Sequence, residues 1–192
     1  MFATETAHRE GRHAMTKPRT FTLRRFTREE DVPMAEAKAL LLDHAHFMHS
    51  RMVGAGGPDF DIHPHLDAFW SNLDAVLPPN GSYYLAFDLS GKAVGTGALK
   101  RLSPSTGEMK HLFVRPEMRR SGLGQALVEA RIRDAREMGL TELVADTFSA
   151  NHEQPALYQK MGFEELDIAD QASTSEITPE LVPFLRFFRM SL

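Results

Sequence analysis

The stretch Val114-Arg-Pro-Glu-Met-Arg-Arg-Ser-Gly-Leu-Gly-Gln125 constrains this chain more than any other. The apolar run Leu112, Phe113, Val114 reads as the end of a strand, a Pro-Glu turn follows, and a basic loop punctuated by Gly122 and Gly124 opens an amphipathic helix. Glycine lets a backbone approach a ligand with no Cβ in the way. The helix behind it presents unpaired N–H groups and the positive end of its dipole, and Arg119 and Arg120 add fixed positive charge at the same place. Residues 119–125 therefore predict a seat for an anionic, pyrophosphate-bearing ligand.

Around this loop the hydrophobic pattern alternates between two periods. Residues 21–27 read as a first strand. Thr27 and Glu30 have the spacing of a capping box for a helix running to about Met52, interrupted near Pro33. A second helix is expected over residues 63–77, with Leu66, Phe69, Trp70, Leu73 and Val76 on its buried side and the Pro78-Pro79-Asn80-Gly81 run as its stop. Strands follow over residues 83–89, 92–102 and 108–114, joined by turns at Ser90-Gly91 and residues 103–107. The helix after the basic loop carries Leu123, Leu127, Val128, Ile132, Ala135 and Met138 as one stripe and stops at Gly139. Then come a strand over residues 140–148, a short helix over 155–161, a strand beginning at Phe163, a polar loop over 167–180 and a terminal strand over 182–192. No repeat or linker divides the chain. Hairpin-connected strands followed by strands alternating with helices predict an α+β fold, with one mixed sheet of six to seven strands and helices on both faces.

Composition narrows the function classes. A net charge of −4 offers no basic surplus for nucleic acid, and no apolar run approaches the roughly 20 residues of a membrane span. Without cysteine there is no thiolate metal site and no cysteine nucleophile. The first twenty residues are polar and unlike a secretory signal, so the cytoplasm is the default expectation. Residues 1–18 lack an apolar period and read as a disordered leader, an expression remnant or an over-long start, with Met15 as an alternative beginning; residues 19–192 form the domain.

Two segments in order resemble the GCN5-related N-acetyltransferase (GNAT) superfamily. Its signature of Arg or Gln, two residues, Gly, one residue, then Gly or Ala is met by Arg119-Arg120-Ser121-Gly122-Leu123-Gly124 after Val-Arg-Pro-Glu. The second segment is Asn151, followed seven residues later by Tyr158 and then by Met161-Gly162-Phe163. The resemblance is clear over residues 82–166. It implies acetyl-CoA as co-substrate, direct transfer to an amine, no metal, and a sheet that splays between the strand ending at Val114 and the one ending near Phe148. It also implies that main-chain atoms of Leu112, Phe113 and Val114 hold the pantetheine arm and thioester carbonyl. Arg119, Arg120, Ser121, Gly122, Leu123, Gly124 and Gln125 would wrap the pyrophosphate, Asn151 would hold the pantetheine, and Tyr158 would face the sulfur as general acid. Arg120 departs from the glycine that many relatives carry there, which makes the loop less supple and more positive. Relatives are often dimers, so a homodimer is also implied.

The resemblance aligns Glu108 with the catalytic base of the histone-acetyltransferase branch. On an alternating strand Glu108 shares a face with Lys110 and Leu112 unless a bulge intervenes; the blander reading is an ion pair with Lys110. Asp146 is the rival base. Tyr158 stays protonated at neutral pH, as an acid must; otherwise it is a core tyrosine. His44, His46, His49, His63 and His65 do not place three ligands on one helical face, so they are not expected to bind metal; the resemblance implies that the first two helices cover the substrate, and some of these histidines are expected to line the acceptor end of the cleft. His111 stands where many relatives carry Arg and is an acceptor contact candidate. Phe60, Phe69 and Trp70 are expected in the core more than in an acceptor pocket. A dinucleotide fold is disfavoured because the third glycine of its fingerprint would fall at Leu127. The acceptor expected is a small amine or amino acid. The alternatives are a protein N-terminus or lysine, and a non-catalytic acyl-CoA-binding module.

Overall fold

The computed structural model describes residues 20–167 and 179–192. The expected leader, and most of the expected polar loop, lie outside the described residues. Among the described residues seven strands form one sheet: β1 (Phe21–Phe26), β2 (Gly81–Asp88), β3 (Ala93–Arg101), β4 (Thr106–Val114), β5 (Glu142–Phe148), β6 (Glu164–Leu166) and β7 (Leu185–Ser191), in the spatial order β1-β2-β3-β4-β5-β7-β6. Among the described residues only the β4–β5 pair is parallel. The helices are α1 (Met34–Gly54), α2 (His63–Ser71), α3 (Leu123–Glu137) and α4 (Glu153–Lys160).

Each face of the sheet carries its own core. Leu123, Leu127, Val128, Ile132 and Ala135 of α3 and Tyr158 of α4 pack with Leu99, Met109, Leu112 and Leu143. Ala37 and Leu40 of α1, with Leu73 and Val76, pack on the other side against Tyr83, Leu85, Ala98 and Phe113. This is the expected α+β architecture with helices on both faces.

Three local expectations are corrected. The Thr27–Glu30 capping box does not form: Glu29–Asp31 make a single 3-10 turn after Arg28, without a side-chain cap. Pro33 forces Val32 into the extended region (φ −75°, ψ 123°), and α1 begins only after it. The second helix stops at Asn72 (φ −130°, ψ 39°), and Leu73–Val76 form a separate 3-10 turn. As a result Leu66, Phe69 and Trp70 are half-buried and only Leu73 and Val76 are buried. The terminal strand begins at Leu185, not Val182, because Pro183 sits inside a 3-10 turn, Pro179–Phe184, and supplies no N–H to a ladder.

The feature that positions a site is the short reach of the parallel pair. β4 and β5 pair over Thr106–Met109 against Glu142–Ala145 only, although β4 continues to Val114 and β5 to Phe148. Beyond Met109 and Ala145 the two strands diverge, and the sheet opens into a V.

Candidate active site

On the β4 side of the V the strand carries a bulge. Thr96 pairs with Phe113 and Ala98 with Lys110, so the single residue Gly97 faces two, His111 and Leu112. His111 takes up the irregularity with φ 54°, a left-handed conformation uncommon for a residue with a side chain. The bulge resets the alternation. Leu112 joins the core on the α3 face and Phe113 the core on the α1 face, and Lys110, His111 and the edge of Leu112 reach the cavity described below. The expectation that Glu108, Lys110 and Leu112 share a face is thereby corrected for Leu112.

The basic loop is built as its glycines require, for two different reasons. Gly122 caps α3 with φ 87°, and open space surrounds a hypothetical Cβ there, so its need is conformational. At Gly124 a Cβ would stand 3.3 Å from Leu157, so its need is close packing of α3 on α4. Arg120 is also left-handed (φ 61°), which stretches the loop without a glycine. Ser121 Oγ donates to Met118 O (2.7 Å) and accepts from Leu123 N–H (3.3 Å). The first intrahelical acceptor is Gly122 O, bound by Ala126 N–H, so the N–H groups of Gly124 and Gln125 belong to the open first turn. These residues fit an anionic group. The side chains of Arg119 and Gln125 are engaged elsewhere: Arg119 lies on the Phe47 ring (4.7 Å) and 3.7 Å from Glu153, and Gln125 ties Glu129 to Lys160. Arg51 grips the same Glu153 (2.6 and 3.0 Å), which holds the Glu153 carboxyl down at about 2, and its guanidinium also lies over the Phe47 ring (4.4 Å).

On the β5 side a polar relay runs along the start of α4. Asn151, buried, donates from Nδ2 to Thr147 Oγ1 (3.0 Å) and to Gln154 Oε1 (2.9 Å). Gln154 Nε2 in turn donates to Tyr158 Oη (2.8 Å). Tyr158 is fully buried between Phe163 and Phe188 (ring centroids 5.0 and 5.3 Å). Burial pushes its phenol above the ordinary value, against the opposing pull of Arg131 and the Gln154 hydrogen bond, so it is protonated at neutral pH. Thr147 and Gln154 were missed in the sequence. The i, i+4 spacing of Gln154 and Tyr158 on a short helix is the only signal that could have pointed to Gln154.

A cavity of about 400 Å³ lies between α1, α2 and the opened strands. Its wall is largely apolar, with Leu41, Met48, Ile62, Phe60 and Phe69 on the helix side and Lys110, His111, Asp146 and Gln154 on the sheet side. Four of the histidines noted in the sequence reach it: His44, His49, His65 and His111. Phe60 and Phe69 line it too, whereas Trp70 packs on Phe69 (4.8 Å) and into the second core. His44 stacks on Phe113 (5.2 Å) and meets His111 edge-on (6.2 Å), and His111 abuts Phe69 (4.5 Å). Burial drives His44 down to about 4 and His111 well below its ordinary value, the latter helped by Lys110. Both imidazoles are neutral at pH 7.

Glu108 is almost completely buried, and Lys110 Nζ stands 3.2 Å from its Oε1. Of the two candidate bases, Asp146 is in the cavity wall and Glu108 lies behind Lys110, next to the strand pair that closes the V. Among the described residues there is no cluster of His, Cys, Asp or Glu arranged to hold a metal ion, and no helix long and apolar enough to cross a membrane.

Comparison with known proteins agrees with this geometry. Residues 46–163 match the Acetyltransferase (GNAT) family. N-acetyltransferase 8 of Homo sapiens is 37% identical over 94 residues, 46% of this chain and 41% of that protein. The uncharacterized N-acetyltransferase YjgM of Escherichia coli is 30% identical over 109 residues, 55% of this chain and 63% of its own length. The chain thus spans between two fifths and two thirds of these curated relatives. An acetyltransferase structure from Streptococcus agalactiae superposes with a TM-score of 0.69 at 21% identity, covering 90% of this chain and 99% of that one. The bulged strand, the open first turn of α3 and the V between β4 and β5, together with the match over residues 46–163, place this chain in the acetyltransferase (GNAT) family.

Proposed function

We propose that this protein transfers the acetyl group of acetyl-CoA directly to the primary amine of a small molecule or amino acid. The observation that carries the acceptor class is the roofed cavity of about 400 Å³: α1 and α2 lie over the opened strands, leaving a largely apolar, partly open pocket of a size suited to a small amine. Support for the donor comes from the family and from a GNAT structure of Elizabethkingia anophelis with acetyl-CoA bound, which shares this fold (TM-score 0.60, 20% identity). A relative from Azospirillum brasilense, 32% identical over 104 residues, is an IAA acetyltransferase, in keeping with acetyl transfer.

In this reading the amides of Gly124 and Gln125 at the open turn of α3 take the diphosphate, with Arg119, Arg120, Ser121, Gly122 and Leu123 shaping the loop. Main-chain atoms of Leu112, Phe113 and Val114 align the pantetheine arm and polarise the thioester carbonyl, and Asn151 anchors the arm from the β5 side. The amine lone pair attacks that carbonyl carbon and the carbon–sulfur bond breaks. Tyr158 gives the departing sulfur its proton, and a carboxylate takes one from the amine. For a lysine-like amine, deprotonation at pH 7 costs roughly 4–5 kcal/mol; for an α-amino group it costs about 1 kcal/mol. Glu108 is the proposed base. Asp146 is the second reading, favoured by its place in the cavity wall.

The test is a thiol-release screen of acetyl-CoA against amino acids, polyamines, aminoglycosides and peptides, beside calorimetry with CoA. Turnover of a small amine with CoA binding bears the proposal out. Turnover of peptides alone moves the acceptor to polypeptides, and tight CoA binding with no turnover on any amine makes the protein an acyl-CoA-binding module.

A further inference from the structure

Behind the bulge lies a charge that the proposed chemistry does not use. Arg131 sits in the apolar stripe of α3 and is fully buried. A buried cation is costly unless its donors are occupied, and the places where these donors go are specific. Nε donates to Leu127 O (3.0 Å), within its own helix. Nη1 donates across two strands at once, to Ala98 O (3.1 Å) and Lys110 O (3.3 Å), the cross-strand partners at the edge of the register shift. The guanidinium abuts Gly97, which faces both His111 and Leu112 across the bulge: a Cβ there would stand 3.1 Å from both Cζ and Nε. Nη2 has no hydrogen-bond partner among the described residues.

We propose that Arg131 is a positioning residue that clamps the β4 bulge from beneath and so fixes the main-chain amides following His111 in the orientation that receives the thioester carbonyl. This rests on the acetyl-transfer reading of the same site. Three features of the surroundings fit a clamp and not ordinary core packing. The donors end on the two strands that the bulge would otherwise let slide. The neighbouring residue is a glycine where a Cβ would crowd the guanidinium at 3.1 Å. The bulge also contains a left-handed non-glycine residue, which persists only where its surroundings over-determine it. The same guanidinium stabilises the anionic form of the Tyr158 phenol, so it also favours loss of the proton that Tyr158 is proposed to give up.

The test compares wild type, R131M and R131K in the full chain. Three quantities are measured: turnover with the best amine of the screen, KM for acetyl-CoA, and hydrogen exchange along the chain. In R131M, turnover is expected to fall roughly 10²-fold, the scale of a misplacement of about 1 Å, with KM for acetyl-CoA changed by less than about twofold. Exchange should quicken selectively over residues 108–115. The alkaline limb of turnover should move to higher pH, because the phenol loses a nearby positive charge. R131K, which keeps the charge and a donor, should recover part of the turnover. R131M turnover within about threefold of wild type, or faster exchange spread evenly over the sheet, overturns the clamp. If R131M is recovered unfolded, G97A carries the decision, since its methyl group would press on the same guanidinium at 3.1 Å, forcing it to shift by a few tenths of an ångström, and predicts the same signature in milder form. A wild type that binds CoA but acetylates nothing removes the acetyl-transfer reading, and the exchange pattern over residues 108–115 then decides the clamp alone.

Discussion

Tyr158 and His44 show how burial sets the chemistry of single side chains here. Tyr158 is held protonated by burial and reached by one donor, Gln154, so Tyr158→Phe should lower turnover by about 10²–10⁴-fold while CoA affinity by calorimetry stays unchanged; equal losses in both would remove the acid role. His44 titrates near 4 in the folded protein against 6.5 ordinarily. A histidine whose folded value is depressed contributes its full stability above the unfolded value and loses it as pH falls from about 6.5 toward 4. The thermal midpoint should therefore drop across that window, and H44Q should flatten the drop; identical pH profiles for the two proteins would refute it. At this scale the sequence was partly readable. Gly122, Asn151 and Tyr158 stand in spacings that announce themselves, but Arg131 occupies a position in the α3 stripe where periodicity asks for an apolar side chain. No one-dimensional pattern says that two strands pass beneath it. Phe60 and Phe69 were likewise expected in the core, since an aromatic at helical spacing reads the same whether it faces a neighbouring strand or a cavity.

Among the elements, the loop before α3 was the most legible and the bulge in β4 the least. Gly122 announces a left-handed cap because only glycine adopts φ 87° without strain; Gly122→Ala should cost about 1–2 kcal/mol of stability and weaken CoA binding together, seen as parallel losses in chemical denaturation and calorimetry. A loss in one without the other would separate the cap from the phosphate seat. The bulge depends on a one-residue offset between Gly97 and the His111–Leu112 pair, and a histidine carries no mark of a left-handed backbone. Element ends were misjudged where a polar residue closed a helix early, as at Asn72, or where a proline sat inside an expected strand, as at Pro183.

For the molecule as a whole, the order β1-β2-β3-β4-β5-β7-β6 followed from alternating periods only as a mixed sheet; strand order and the insertion of β7 beside β5 are tertiary facts. Because the proposed ligand binds the native state and has no site in the unfolded chain, CoA at about 100 times its dissociation constant should raise stability by about 2.7 kcal/mol, measurable as an upward shift in thermal midpoint that adenine alone does not reproduce. The four-pair seam between β4 and β5 has a further mechanical consequence. It divides the sheet into a four-stranded panel and a three-stranded panel, joined by a short stitch at one end and by α3 passing between them. A rod-shaped guest lodged in the gap would act as a wedge and a weld together, holding the panels apart while making them twist as one body.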